Sequence, residues 1–191
     1  MSEYSVNIVV GLSGVGKGTV LEEAMMLSDK DYKVVNYGDR MVETAKEQDL
    51  VEHRDELKKL DVETSKKVQR DAAESIAEDA ENENIIVDTH AAIQTPFGYL
   101  PGLPKWTVEN LDPEKIVILR ASPEAIYRRS QGDDDRDREH DSIEGIKEYQ
   151  DIAEEMASTN AVMTGAYLQL IENKDGQAEK AAEKLVETLN A

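Results

Sequence analysis

A glycine-rich segment near the start of the chain has residue types and spacing that suit phosphate binding. Residues 11–19 follow an apolar run at residues 6–10 and precede a helical pattern. Glycine lets consecutive backbone N–H groups approach an anion closely, and the following helix presents its positive N-terminal end to the same point. Lys17 adds a full charge that can follow a phosphoryl group during transfer. The predicted P-loop consists of Gly11, Leu12, Ser13, Gly14, Val15, Gly16, Lys17, Gly18 and Thr19.

Two oxygen-bearing side chains are candidates for positioning a metal ion at this loop. The residue after the lysine, usually serine or threonine, is Gly18, and the hydroxyl comes one position later at Thr19. Asp88 ends an apolar run, which is where P-loop enzymes place the acid that orients Mg²⁺, often through water. We therefore predict Mg²⁺ as cofactor, with Thr19 and a water-mediated Asp88. The alternative for Asp88 is an ordinary strand-end aspartate that caps a neighbouring turn.

Positive charge is concentrated in one part of the chain. Five of the eight arginines fall within residues 120–138, although the chain as a whole is acidic. Phosphoryl transfer builds charge on oxygen atoms, and guanidinium groups stabilise such charge with paired donors. The candidate catalytic arginines are Arg128, Arg136 and Arg138, with Arg129 in the same cluster. Alternatively, this is a solvated loop in which each arginine pairs with a nearby aspartate.

A second set of residues could bind the acceptor, which is the molecule that accepts the phosphoryl group. Arg54 and Lys58 are four residues apart, and helical spacing would put both cations on one face, able to bind a phosphate. His90 lies two positions beyond Asp88, and contact with substrate and a structural role are about equally supported.

Strand and helix patterns alternate along the whole chain and predict an α/β fold. Apolar strand runs are expected near residues 6–10, 32–37, 85–90, 115–120 and 166–171, separated by helical patterns. A helical insertion is expected over residues 37–80 and a polar loop over residues 132–140. The expected architecture is one domain spanning residues 1–191, a five-stranded parallel sheet flanked by helices, with ligands at the carboxyl ends of its strands.

A proline-rich stretch, residues 94–104, is expected to be a loop. Its aromatic and proline-rich part, which continues to residue 106 and so covers residues 96–106, could pack against an adenine ring or a partner subunit. Alternatively, it is a rigid connection that buries Tyr99, Leu100 and Trp106.

The composition narrows the classes of partner. The chain has 191 residues, with 41 acidic and 22 basic side chains and a net charge of −19. Such a surface repels nucleic acid and anionic lipid, so neither is an expected partner. Without cysteine there is no disulfide or thiolate zinc site. No run is long enough to span a membrane and no signal-peptide pattern is present, so a cytoplasmic location is expected. The acidic excess suggests a salty cytoplasm, as in a halophile; an ordinary acidic protein is the alternative.

Together these motifs resemble the archaeal-type adenylate kinases over nearly the whole chain. The matching segments are residues 11–19, 36–39, 54–56 with 59–60, 88–90, 95–96 with 98–104, and 135–138. The resemblance implies a P-loop nucleoside monophosphate kinase that uses Mg²⁺ and catalyses ATP + AMP ⇌ 2 ADP. It implies that Lys17 bridges the phosphates, that the arginines of a short lid over residues 130–141 close over the transferring group, and that Arg54 holds the AMP side. Asp39 and His90 are further candidates for AMP binding. Family members are often trimers, so a homo-oligomer is expected, with a trimer as the candidate.

The chain departs from related patterns at two positions. Ser13 stands where family P-loops commonly have proline, a change that affects loop stiffness more than binding. Bacterial and eukaryotic adenylate kinases carry an arginine four positions after the strand-end aspartate, whereas this chain has Ala92 there. The acceptor phosphate must therefore be held differently, with Arg54 and His90 as candidates.

Two other classes of function compete with this interpretation. One is another small P-loop kinase that acts on a different nucleoside monophosphate or a small metabolite. The other is a non-catalytic nucleotide switch or assembly factor. The arginine-rich lid favours a transferase, because phosphoryl transfer without ATP hydrolysis requires the exclusion of water.

Overall fold

The computed structural model describes residues 4–131 and 142–191. Seven strands are present in these ranges: β1 (Val6–Val10), β2 (Tyr32–Asn36), β3 (Asn84–Thr89), β4 (Ala92–Thr95), β5 (Gly98–Pro101), β6 (Lys115–Arg120) and β7 (Tyr167–Glu172). The helices are α1 (Lys17–Leu27), α2 (Tyr37–Glu47), α3 (Val62–Asp79), α4 (Lys105–Leu111), α5 (Pro123–Gln131), α6 (Ile143–Thr164) and α7 (Ala178–Asn190). A 3₁₀ helix covers Arg54–Lys59.

Five strands form one parallel sheet in the order β2-β3-β1-β6-β7. Helices α1 and α7 pack against each other, while α3, α4 and α6 pack in series. The strands with neighbours on both sides are rich in Val and Ile, as expected for strands covered on both faces. The predicted five-stranded parallel sheet flanked by helices is confirmed.

The core lies along the three inner strands. Ile8, Ile86 and Ile116 are fully buried on β1, β3 and β6. Burial of each such side chain contributes about 1.5–3 kcal/mol. Because β1 is buried over all five residues, the loop that follows it starts from a rigid position.

Helix starts agree with the capping expected from the sequence. The side chain of Asp61 accepts hydrogen bonds from the backbone N–H groups of Glu63 and Thr64, and Asp61 caps α3. Ser122 precedes the Pro123 that begins α5, and its hydroxyl accepts from the N–H of Ala125 at 3.2 Å. Within the described ranges, no helix has the length and apolar character to cross a membrane.

The expected loop over residues 94–104 is wrong in its first half. Strands β4 and β5 pair there as a hairpin, with a two-residue connection at Pro96 and Phe97. The hairpin is anchored on α6, because Tyr149 donates a hydrogen bond of 3.0 Å to the carbonyl of Ala92. The expected burial of Leu100 is also wrong, since this side chain is 57% exposed, whereas Tyr99 and Trp106 are half-buried.

The segment around Arg54 is helical, but not in the expected form. In a 3₁₀ helix, residues three apart lie above one another, so Arg54 does not share a face with Lys58. The paired cations predicted from α-helical spacing are therefore not formed by this segment.

Candidate active site

The P-loop joins the carboxyl end of β1 to the amino end of α1. Gly14 and Gly16 have φ angles of 87° and 85°, a left-handed conformation that favours glycine. Gly16 is the N-cap of α1, and the first N–H groups of a helix have no partner within it. The loop therefore presents backbone donors together with the positive end of the helix, as predicted for phosphate binding.

Lys17 is the first residue of α1, and its side chain contacts the carboxyl end of β3. Its Nζ forms an ion pair with Oδ1 of Asp88 and donates a hydrogen bond of 2.8 Å to the carbonyl of Thr89. The side chains of Lys17 and Asp88 are only 10% and 20% exposed. The structure thus brings together the predicted catalytic cation and the predicted metal-orienting carboxylate.

Asn36 links Asp88 to the neighbouring strand. Its Nδ2 donates to Oδ2 of Asp88 at 3.3 Å, and its Oδ1 accepts from the N–H of Asp39 at 3.1 Å, which caps α2. Sequence reasoning matched residues 36–39 to a family segment and gave Asn36 no role. A polar residue that ends a strand and precedes a helix is the signal that points to this cap.

Of the four clustered arginines, the structure describes Arg128 and Arg129. Arg129 reaches the P-loop: its Nη1 donates to the carbonyl of Gly14 at 3.0 Å, and its Nη2 donates to Asp175 at 2.6 Å. Arg128 is 64% exposed and pairs with the same carboxylate. The predicted catalytic residues Arg136 and Arg138, and residues 132–141 of the predicted lid over residues 130–141, lie outside the described residues.

Asp175 is the acidic counterpart of this arginine pair. Hydrogen bonding from Arg129, together with the charge of Arg128, lowers the pKa of the Asp175 carboxyl below its usual range. The carboxylate is therefore ionised at neutral pH and holds both guanidinium groups beside the P-loop.

The turn between β7 and α7 contributes a second contact to the P-loop. Asn173 is buried, and its Nδ2 donates to the carbonyl of Val15 at 2.8 Å. Asn173 follows the strand expected near residues 166–171, but the direction of its side chain has no local sequence signal.

The predicted acceptor residues Asp39 and Arg54 form an ion pair at the start of α2. Both side chains are exposed, at 63% and 62%. A Cβ on Gly38 would lie 2.6 Å from Nη2 of Arg54, so the glycine provides the space for this arginine. The pair is open to solvent and accessible to an anionic ligand.

Tyr37 anchors the start of the predicted helical insertion over residues 37–80. Its hydroxyl donates to the carbonyl of Gln69 at 2.7 Å and lies 3.0 Å from the hydroxyl of Thr107. Burial raises the pKa of the Tyr37 phenol, so it stays a neutral donor. Helix α2 is thereby tied to α3 and α4 below an exposed tip.

The structure places the predicted acceptor residue His90 against the P-loop. Its Nδ1 lies 2.8 Å from the carbonyl of Gly11, while the side chain remains largely exposed. His90 therefore lies between the P-loop and the exposed surface, where it can contact a ligand.

The oxygen donors available for a metal ion are few. Thr19 is exposed in the first turn of α1, and Asp88 faces Lys17. The described residues contain no group of three or more His, Cys, Asp or Glu side chains that could hold a metal. This donor set fits Mg²⁺, which keeps several waters and takes phosphate oxygens as ligands.

Comparison with known proteins agrees with this geometry. A family model described as "AAA domain" matches residues 10–147. Adenylate kinases of Methanocaldococcus jannaschii and Methanopyrus kandleri are 45% and 46% identical to the chain, covering 95% and 96% of it and 96% and 97% of their own lengths. The adenylate kinase of Thermoplasma acidophilum is 39% identical over 96% of the chain and 97% of its own length.

A solved structure supports the fold independently. Shikimate kinase from Acinetobacter baumannii, in complex with shikimate, superimposes with a TM-score of 0.62, covering 99% of this chain and 94% of that one. At 14% sequence identity, this similarity concerns the fold alone. The near full-length identity with archaeal enzymes is the stronger finding, and on it the chain belongs to the adenylate kinase family, as a member of the archaeal type.

Proposed function

We propose that the chain catalyses reversible phosphoryl transfer between ATP and AMP to give two ADP. The observation that carries the proposal is the pairing of β2 with β3, in which Asn36 and Asp88 are direct neighbours. This pairing puts the start of acceptor helix α2 beside the aspartate that holds Lys17. The donor and acceptor residues thus lie together at the carboxyl ends of the strands, as a direct transfer between two nucleotides requires.

In this proposal the P-loop, residues 11–19, binds the phosphates of ATP. Lys17 leaves Asp88 and follows the transferring phosphoryl group, and Arg128 with the lid residues Arg136 and Arg138 stabilises its charge. Asp88, through water, and Thr19 would hold Mg²⁺, which when bound with ATP neutralises charge on the phosphate oxygens. Residues 130–141 act as the lid.

Residues 37–80 act as the acceptor segment. Arg54 exchanges its exposed partner Asp39 for the phosphate of AMP, and guanidinium suits this role because it offers paired donors. Asp39 and His90 complete the acceptor side.

The direct test supplies Mg-ATP with each nucleoside monophosphate in turn and follows diphosphate formation. Formation of ADP from AMP is expected, with other monophosphates inactive or much slower. Product from a different acceptor only would favour another small P-loop kinase. Nucleotide binding without any product would favour a non-catalytic role.

The acceptor assignment is tested by Arg54→Ala, with Arg70→Ala as a matched control. Both arginines are exposed and lie within residues 37–80. We expect Arg54→Ala to raise KM for AMP by about 10–100-fold with little change in KM for ATP, as for loss of a charged hydrogen bond to phosphate. An equal effect of Arg70→Ala would refute the assignment.

We further propose a homo-oligomer, specifically a trimer. Residues 160–171 carry no charged side chain in a chain of net charge −19. On the outer strand β7, Tyr167, Leu168 and Leu170 are 75%, 36% and 42% exposed. An uncharged apolar edge is where like-charged copies meet with least repulsion. Light scattering coupled to size-exclusion chromatography gives the subunit number.

A cytoplasmic setting of high salt, as in a halophile, is also proposed. It is supported by the net charge of −19, whose self-repulsion is screened at short Debye lengths. Stability and turnover should rise between dilute buffer and molar KCl. Equal stability and turnover in both conditions would exclude an adaptation to salt.

A further inference from the structure

One side chain of the turn between β7 and α7 reaches back to the P-loop. Asn173 is 4% exposed, and its Nδ2 donates to the carbonyl of Val15 at 2.8 Å. Its backbone N–H donates to the carbonyl of Arg120, the last residue of β6, also at 2.8 Å. Asn173 is therefore fixed to the sheet at its backbone and to the P-loop at its amide.

The contact to Val15 determines the direction of a P-loop donor. The C=O of Val15 and the N–H of Gly16 belong to one planar trans peptide group, in which they point in opposite directions. By holding the C=O on one side, Asn173 directs the N–H of Gly16 to the other. Since Gly16 caps α1, this N–H belongs to the positive end of the helix.

The packing around Gly16 shows how closely the two residues fit. A Cβ on Gly16 would lie 2.5 Å from Nδ2 of Asn173, nearer than side-chain atoms normally approach. The preceding carbonyl, that of Gly14, accepts a hydrogen bond of 3.0 Å from Arg129. Two successive P-loop carbonyls are thus held by side chains from two different elements, α5 and the turn after β7.

We propose that Asn173 is a positioning residue for the donor nucleotide. It holds the peptide between Val15 and Gly16 so that the N–H of Gly16 faces the phosphates, and it thereby raises the affinity for ATP but not for AMP. The inference rests on the proposed function, because it takes the P-loop as the site of the triphosphate.

The test compares Asn173→Ala and Asn173→Asp with the parent protein. Alanine removes the donor, whereas aspartate keeps the size and turns an oxygen toward the carbonyl of Val15. Calorimetric titration measures the Kd of Mg-ATP and of AMP separately. We expect Asn173→Ala to raise the Kd for Mg-ATP about tenfold, as for loss of one hydrogen bond, and Asn173→Asp to raise it further. The Kd for AMP should stay within about twofold.

Asn7→Ala is the matched control. Asn7 is also fully buried, its Nδ2 donates to Ser5 at 3.1 Å, and its Oδ1, like that of Asn173, has no partner among the described residues. It lies at the opposite end of β1 from the P-loop. Its loss should lower Tm while leaving both Kd values unchanged.

Two results would overturn the inference. One is a folded Asn173→Ala whose Kd for Mg-ATP matches that of the parent, and the other is an equal loss of affinity for ATP and AMP. If the alanine variant does not fold, the Kd values of Asn173→Asp for Mg-ATP and AMP are compared with those of the parent in the same way. Failure of the parent itself to bind Mg-ATP would instead refute the proposed function, so the two failures are distinguishable.

Discussion

The P-loop follows β1 and the proposed acceptor helix α2 follows β2, on either side of β3, and the two regions are held in different ways. The P-loop is braced from outside by Asn173 and Arg129, and Lys17 is largely buried between Asp88 and Thr89. The acceptor pair, Asp39 and Arg54, is exposed at the tip of a helical segment. A rigid donor site orients phosphates before they react, whereas an exposed acceptor site must change its partners on binding.

The largest expected effect comes from removing the charge of Lys17 beside the P-loop. Lys17→Met should lower kcat at least about 10³-fold, because the transferring group loses its charge stabilisation. Circular dichroism should show the fold retained. Lys33→Met, which removes an exposed lysine paired with Asp79 and Glu83, is the control and should keep the parental rate. Near-normal turnover in Lys17→Met would contradict the assignment.

A glycine substitution tests the rigidity of the P-loop. In Gly16→Ala, the new Cβ meets Asn173 and the left-handed φ of 85° is strained for alanine. We expect the Kd for Mg-ATP to rise about 10–100-fold. An unchanged Kd would mean that the loop adapts, and that the contrast between the two regions is smaller than the packing indicates.

The same substitution in the acceptor region should have a smaller effect. In Gly38→Ala, the new Cβ would meet Nη2 of Arg54, the far end of a flexible and exposed side chain that can move aside. We expect KM for AMP to rise only about threefold to fivefold, in the range of an exposed ion pair. A loss as large as that of Gly16→Ala would show that the acceptor tip is as rigid as the P-loop.

The smallest expected effect is that of Asp175→Asn, and it depends on pH. Arg129 lowers the pKa of Asp175 in the folded state, so the ionised carboxylate stabilises the fold above about pH 4, and this contribution is lost as pH falls through the folded pKa. Tm of the variant should be slightly lower than that of the parent at neutral pH, and the difference should vanish in acid. A constant difference at all pH values would assign the effect to something other than this ionisation.

Most of the fold could be predicted from the sequence because it depends on local patterns. Buried runs such as residues 85–87, and caps such as Asp61 and Ser122, are visible in the chain itself. The hairpin over residues 92–101 was missed because its two strands have only four residues each and include exposed side chains. The 3₁₀ form at Arg54–Lys59 was missed because sequence spacing alone does not distinguish it from an α-helix.

The site could be predicted only in part, for a similar reason. Lys17 and Asp88 belong to motifs whose contexts, a strand end and a helix start, are local. The contacts of Asn173 and Arg129 join residues 158 and 115 positions apart, so only the folded chain brings them to the P-loop.

The strand order has a consequence for motion. Asn36 and Asp88 are register partners on β2 and β3, so the supports of the acceptor and the donor are one interstrand spacing apart, about 4.8 Å. Backbone hydrogen bonds fix that spacing, and no domain movement can lengthen it without opening the sheet. Movement of the helical segment over residues 37–80 therefore leaves Asn36 in place beside Asp88.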